Sequence, residues 1–165
     1  MRPALLATLA ALVVALILVE VLTAGGSDAG GRPAPKLPAQ VLVPPRATIS
    51  SLRGRSAVIH FWASWCDPCR KEAADIARLP RALESRARLV GVDWNDGVAG
   101  ARRFLRQHHW RFPNLRDESG AVGDNYRLVG LPTTFIVDKA GRIRATLPGP
   151  QTERSVRRAL GKLRS

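Results

Sequence analysis

The stretch Ala57-Val58-Ile59-His60-Phe61-Trp62-Ala63-Ser64-Trp65-Cys66-Asp67-Pro68-Cys69 decides the fold. Its first seven residues form a short apolar run rich in β-formers, set off by Arg53-Gly54-Arg55, and read as a buried strand. Beyond the cysteines, Ala73, Ile76, Ala77 and Leu83 fall at helical spacing. They predict a helix from Asp67 to about Ser85 that Pro80 kinks or splits. Pro68 suits the first turn, where a missing N–H costs little.

The two cysteines therefore sit where a strand hands over to a helix. Unpaired N–H groups and the helix dipole stabilise an anion there. A cysteine so placed titrates below its free value of about 8.5 and is more often the attacking thiolate. The four-residue spacing lets the second cysteine reach back and resolve a mixed disulfide. Cys66 is thus expected as the exposed nucleophile and Cys69 as the shielded resolver. A structural disulfide across so short a loop would remove little unfolded-chain entropy. A metal site would draw on His60, His108 or His109, and none stands at zinc-finger spacing from Cys69; no metal and no cofactor are expected. Two unrelated buried thiols are the remaining alternative.

Outward from this junction, Arg88-Leu89-Val90-Gly91-Val92-Asp93-Trp94 reads as a second strand. Gly97 to His109 reads as a helix with Ala101, Phe104 and Leu105 inward. Thr133–Asp138 and Ile143–Leu147, joined by Lys139-Ala140-Gly141-Arg142, predict a hairpin. Thr152 can cap a last helix carrying Val156, Ala159, Leu160 and Leu163 at helical spacing. The order β-α-β-α-β-β-α predicts an α/β fold with a mixed central sheet and helices on both faces.

The 165 residues suit one domain with an attachment. Two cysteines exclude a disulfide-stapled scaffold and a four-cysteine zinc site. Arg2 precedes an uncharged run from Pro3 to Val19, and the segment through Ala24 spans about 33 Å as a helix against a hydrocarbon core of about 30 Å. Residues 1–24 are therefore expected to be one transmembrane helix anchoring the chain in the cell membrane, with a cleaved signal as the rival. Either places the rest outside the cytoplasm. Residues 25–45, rich in Gly and Pro, read as a linker, and 46–165 as the folded domain.

Lys and Arg number 26 against 13 Asp and Glu. Three of those bases and two of those acids precede Arg46, so the excess lies on the domain. A solvated basic surface is the plain reading, and attraction to anionic lipid headgroups the sharper one. No zinc-finger or RNA-recognition pattern supports a nucleic-acid partner.

Phe61-Trp62-Ala63-Ser64-Trp65-Cys66-Asp67-Pro68-Cys69-Arg70-Lys71-Glu72 and the later Val129-Gly130-Leu131-Pro132-Thr133-Thr134-Phe135-Ile136-Val137-Asp138 resemble the two signatures of the TlpA/ResA/CcmG (DsbE-like) branch of the thioredoxin superfamily. With Gly91-Val92-Asp93 and Phe112-Pro113, the likeness runs from about Leu52 to Leu163. It implies a thioredoxin fold and a membrane-tethered, extracytoplasmic thiol–disulfide oxidoreductase. Reductive members of that branch act on apocytochrome c or other exported cysteine-containing proteins and draw electrons from a membrane thiol shuttle. A disulfide-forming oxidant of the same fold is the alternative direction. A thiol copper carrier or a non-catalytic scaffold is the alternative from another class. The Pro-x-x-x-Thr-x-x-Cys arrangement of peroxide-reducing relatives is missing around Cys66.

The resemblance also implies roles. Pro132 would be a cis-proline turning the Leu131 backbone toward Cys66, where an extended substrate could pair with it. Trp65 would be a lip over the disulfide, and Asp67 and Pro68 would meet substrate from the loop. Glu72, one helical turn after Cys69, would hold or return the Cys69 proton, or else complement the helix dipole. His60 reads as a packed strand histidine, and His108-His109 as a helix end where positive charge suits the dipole. The chain has Ala73-Ala74 where the family often carries a proline, and its strands before Leu52 look shortened.

Overall fold

The computed structural model describes residues 31–164. The expected membrane span at 1–24 and the first part of the expected linker lie outside these residues. Among the described residues, no helix is long and apolar enough to cross a membrane.

In chain order the elements are β1 (Arg32–Pro33), β2 (Gln40–Val43), α1 (Ile49–Leu52), β3 (Ser56–Trp62), α2 (Asp67–Leu83), β4 (Ala87–Trp94) and α3 (Val98–Gln107). Then come β5 (Asn114–Asp117), α4 (Ala121–Asn125), β6 (Thr133–Val137), β7 (Arg142–Pro148), α5 (Glu153–Gly161) and a 3-10 turn at Lys162–Arg164. One seven-stranded sheet runs β1-β7-β6-β3-β4-β5-β2. β3 pairs parallel to β4, and β4 parallel to β5; every other pairing is antiparallel.

Alternation along β3 builds the two layers. Val58 and Trp62 face one side, where α2 supplies Cys69, Ala73, Ile76, Leu79 and Leu83, α3 supplies Phe104 and α5 supplies Val156. Ile59 and Phe61 face the other, against Leu52 of α1, Tyr126 beyond α4, and Phe135. Two successive crossovers, β3-α2-β4 and β4-α3-β5, put α2 and α3 on one face.

The mixed sheet with helices on both faces matches the sequence reading, with three differences. First, residues 32–33 and 40–43, inside the expected linker, are edge strands. Arg32 and Pro33 pair with Ile143 and Arg142, Gln40 and Val41 with Arg116 and Leu115, and the Tyr126 hydroxyl donates to the Pro35 carbonyl at 2.9 Å. An edge strand needs only one side of its backbone paired, so prolines fit there, and composition alone reads as linker. Second, β5, α4 and α1 are additional; each has five residues or fewer, too short for periodicity to register. Third, Pro80 does not split α2, which continues to Leu83 because Leu79 and Leu83 on that last turn are buried in the core.

Gly91 marks the tightest approach within the sheet. A side-chain carbon there would overlap Oδ1 of Asn114. That oxygen accepts from Trp62 Nε1 at 3.0 Å while Asn114 Nδ2 donates to the Phe112 carbonyl at 3.0 Å, so the amide cannot swing aside without losing both bonds. Gly91→Ala should therefore destabilise the fold by about 1–3 kcal/mol, read as a lower urea midpoint with an unchanged slope.

Candidate active site

β3 ends at Trp62, and four residues later Cys66 caps the N-terminus of α2. Cys66 Sγ accepts the Cys69 backbone N–H at 3.1 Å, so one of the orphan donors of the first turn points at the leading sulfur. The two cysteines form a disulfide with Cα atoms 5.2 Å apart. Cys69 is fully buried and Cys66 is 4% exposed. The order of exposure matches the expectation, but Cys66 is less open than expected, because its sulfur folds back over the turn onto Cys69.

The loop before Cys66 is braced from the end of β4. Asp96 accepts from the Ser64 backbone N–H and, at 3.0 Å, from the Ser64 hydroxyl. The Arg116 guanidinium holds the Asp96 carbonyl at 2.8 Å. Trp65 Nε1 donates to the Asn95 carbonyl at 3.1 Å, which fixes the indole as a half-open lip, 53% exposed. Arg70 donates to the Ser64 carbonyl at 2.6 Å and forms an ion pair with Asp67. The acid beside Cys66 is thereby matched by the base one turn on. Asp96 and Arg116 were not anticipated; nothing in their local sequence marks them, since they meet the loop only across the sheet.

Leu131–Pro132 is a cis peptide, as the resemblance implied. Thr133, the next residue, pairs with Phe61 at the end of β3, which brings this turn to the edge of the sheet that carries the cysteines. The Pro132 carbonyl accepts from Gly149, while the Leu131 N–H and carbonyl make no backbone hydrogen bond among the described residues. Val129, just before, is 91% exposed. Two of the three exposed large apolar side chains among the described residues, Trp65 and Val129, thus flank the cysteine pair and the open Leu131 backbone.

Behind Cys69 lies a buried polar column. Glu72 is in the second turn of α2, not the first, and is buried. Its Oε1 stands 3.3 Å from His60 Nε2, and its Oε2 accepts the Gln151 backbone N–H. His60 Nδ1 in turn meets the Thr134 hydroxyl at 2.9 Å. His60 Nε2 and Glu72 Oε1 thus face each other in the core without a hydrogen bond between them. The expected packed histidine is therefore buried as expected, but packed against an acid. At the far end of α3, burial and then the positive charges of Arg70 and His109 lower His108, so the helix ends on a neutral imidazole and not the expected cation.

Asp93, beside Trp62 on the same face of the sheet, is a buried acid that strand periodicity alone does not mark. Burial, followed by the charge of Asp96, lifts its carboxyl from 3.8 to about 8; the charge of Asp117 adds to this, and Arg116 opposes it. The group is neutral at pH 7. Among the described residues, no three His, Cys, Asp or Glu side chains cluster as a metal site.

A thioredoxin-like α/β fold with a redox-competent cysteine pair at a strand-to-helix junction defines a thiol–disulfide oxidoreductase. The chain belongs to the AhpC/TSA family, whose model matches residues 31–146. That match begins inside the segment read as linker, in agreement with β1 and β2. The thiol-disulfide oxidoreductase ResA of Bacillus thuringiensis subsp. konkukian is 27% identical over 134 residues, 81% of this chain and 78% of that protein. The thiol:disulfide interchange protein HelX of Rhodobacter capsulatus is 36% identical over 101 residues, 61% of this chain and 56% of HelX. The crystal structure of StoA from Bacillus subtilis shares the fold with a TM-score of 0.67 at 24% identity, over 76% of this chain and 96% of that one.

Because folding raises the Asp93 value, this carboxyl contributes stability below about pH 4 that is lost as pH rises to about 8, at about 1.4 kcal/mol per unit within that window. The urea midpoint should fall between pH 5 and 8, and Asp93→Asn should flatten that fall and exceed the parent protein at pH 8.

Proposed function

We propose that the protein is a membrane-tethered, extracytoplasmic reductant of disulfides in exported proteins, apocytochrome c among them, recharged by a membrane thiol shuttle. The observation that carries exchange chemistry at this pair is the buried Glu72 carboxyl, beside His60 and one turn behind Cys69, which serves either direction. The reductive direction rests on the resemblance of the two signatures to reductive members of the branch. The resolving thiol must lose a proton inside an apolar core, and an acid–base pair behind it supplies a place for that proton. The names of the relatives support exchange chemistry, and the uncharged run of residues 3–19 supports the tether.

In the proposed cycle the Cys66 thiolate, favoured by the Cys69 N–H and the α2 dipole, attacks one sulfur of a substrate disulfide. A mixed disulfide forms and the other substrate sulfur leaves as a thiolate that takes a proton. Cys69 passes its proton to Glu72, attacks Cys66 Sγ and displaces the second substrate sulfur. The substrate gains two electrons, and the protein is left as the Cys66–Cys69 disulfide. The shuttle then runs the same two exchanges in reverse. Trp65, Asp67 and Pro68 from one loop, with Leu131 and Pro132 from the other, form the binding face. There the open Leu131 backbone pairs with an extended peptide and the indole covers the reacting sulfurs.

Cys66→Ser should abolish insulin disulfide reduction, and Cys69→Ser should trap a covalent substrate adduct on gels run without reductant. Glu72→Gln should retain the adduct-forming step yet slow its resolution by about 10²-fold; equal rates for both steps would remove Glu72 from the mechanism.

Direction is read from the reduction potential of the pair against glutathione. A value below about −220 mV is expected, and one near the −120 mV of DsbA would make the protein an oxidant.

A further inference from the structure

A cleft of about 990 Å³ lies away from the cysteines and is lined by bases. It opens where the end of α2, the start of β3, the β6–β7 turn and α5 meet. Six cations border it: Arg55, Arg86, Lys139, Arg154, Arg157 and Arg158. Its only acid, Glu153, is already paired with Arg157 at 3.2 Å. Arg55 makes one long bond, at 3.5 Å, to the Ser85 carbonyl. The side chains of Arg86, Lys139, Arg154 and Arg158 are all exposed and make no ion pair or hydrogen bond among the described residues.

Cations gathered around one concavity repel each other, and the low-dielectric walls focus their field on whatever enters. An anion removes that repulsion, and guanidinium forks suit phosphate oxygens in particular. The lining also includes the buried Leu83 and the half-buried Leu160, so the cleft has an apolar wall that inorganic phosphate alone would not use.

Its place in the fold sets it apart from the cysteine pair. β3 begins at the cleft with Ser56 and ends beside the cysteine loop, so the cleft and the disulfide lie about 20 Å apart at opposite ends of the sheet. β1 runs antiparallel to β7 and so toward the cleft end: Arg32 pairs with Ile143, the Ala34 N–H bonds Gly141, and the Gly54 N–H bonds the Lys139 carbonyl in the same turn.

We propose that this cleft binds the phosphodiester headgroup of an anionic phospholipid, holding the domain with its cysteine pair turned away from the bilayer and toward soluble substrates. The choice of lipid rests on the membrane tether proposed above.

The test uses the full chain in neutral detergent, titrated with dihexanoyl phosphatidylglycerol, with dihexanoyl phosphatidylcholine and inorganic phosphate as separate arms. Amide exchange of residues 153–161 should slow saturably with the glycerol lipid and stay unchanged with the choline lipid. The Arg154→Glu/Arg158→Glu variant should bind about tenfold more weakly or worse, as should the milder Lys139→Gln to a smaller degree, both with insulin reduction intact. No slowing, equal slowing by the choline lipid, or equal affinity for inorganic phosphate would overturn the proposal. Alkaline extraction of membranes reads the tether independently. Release of the chain with lipid binding intact refutes only the tether, and retention with no lipid binding refutes only the cleft.

Discussion

A chain leaving the end of β3 has four residues, 63–66, in which to change from a buried strand into a helix whose first N–H groups lack partners. Cys66 resolves that mismatch by taking the Cys69 N–H onto its sulfur, and so the capping contact and the chemistry are the same contact. Moving the junction by one residue would carry Cys69 off the buried face of α2 and Cys66 off the cap. Much of the surrounding structure holds this turn in place. Asp96 grips Ser64, Asn95 takes the Trp65 indole N–H, and Arg70 ties the first turn of α2 back to the Ser64 carbonyl.

The cost of the arrangement is a set of polar groups inside the core. His60 and Glu72 sit between the sheet and α2, where most proteins of this size would place aliphatic side chains. They are tolerated because each is bonded on its far side, His60 to Thr134 and Glu72 to the Gln151 N–H. Asp93 is a different case: it remains buried near Asp96 by keeping its proton. Groups of this kind weaken a fold unless function retains them. Two of the three stand directly behind the resolving cysteine.

The two ends of the sheet have contrasting chemistry. At the β3 carboxyl end, Trp65 and Val129 are exposed beside the Asp67–Arg70 ion pair and flank the open Leu131 backbone. At the β3 amino end the surface is a cluster of arginines around a cleft. One end suits an unfolded peptide bearing cysteines, and the other an anion.

Local sequence determined a good deal. The apolar run of β3, the cysteine spacing and Pro68 are enough to place a reactive pair at a helix start, since strand and helix periods and capping are properties of neighbouring residues. The second signature placed Pro132, and the hairpin and last helix followed from turn and cap residues. Tertiary structure alone decided the rest, because it depends on pairs far apart in sequence. Arg32 finds Ile143 and converts a glycine- and proline-rich segment into an edge strand. Asp96 becomes a brace for the cysteine loop only once β4 lies beside β3. His60 becomes the partner of Glu72 only when α2 packs back on the sheet. Burial, which lifts Asp93 and withdraws Cys69 from water, is a property of the packed layers, and no window of sequence contains it.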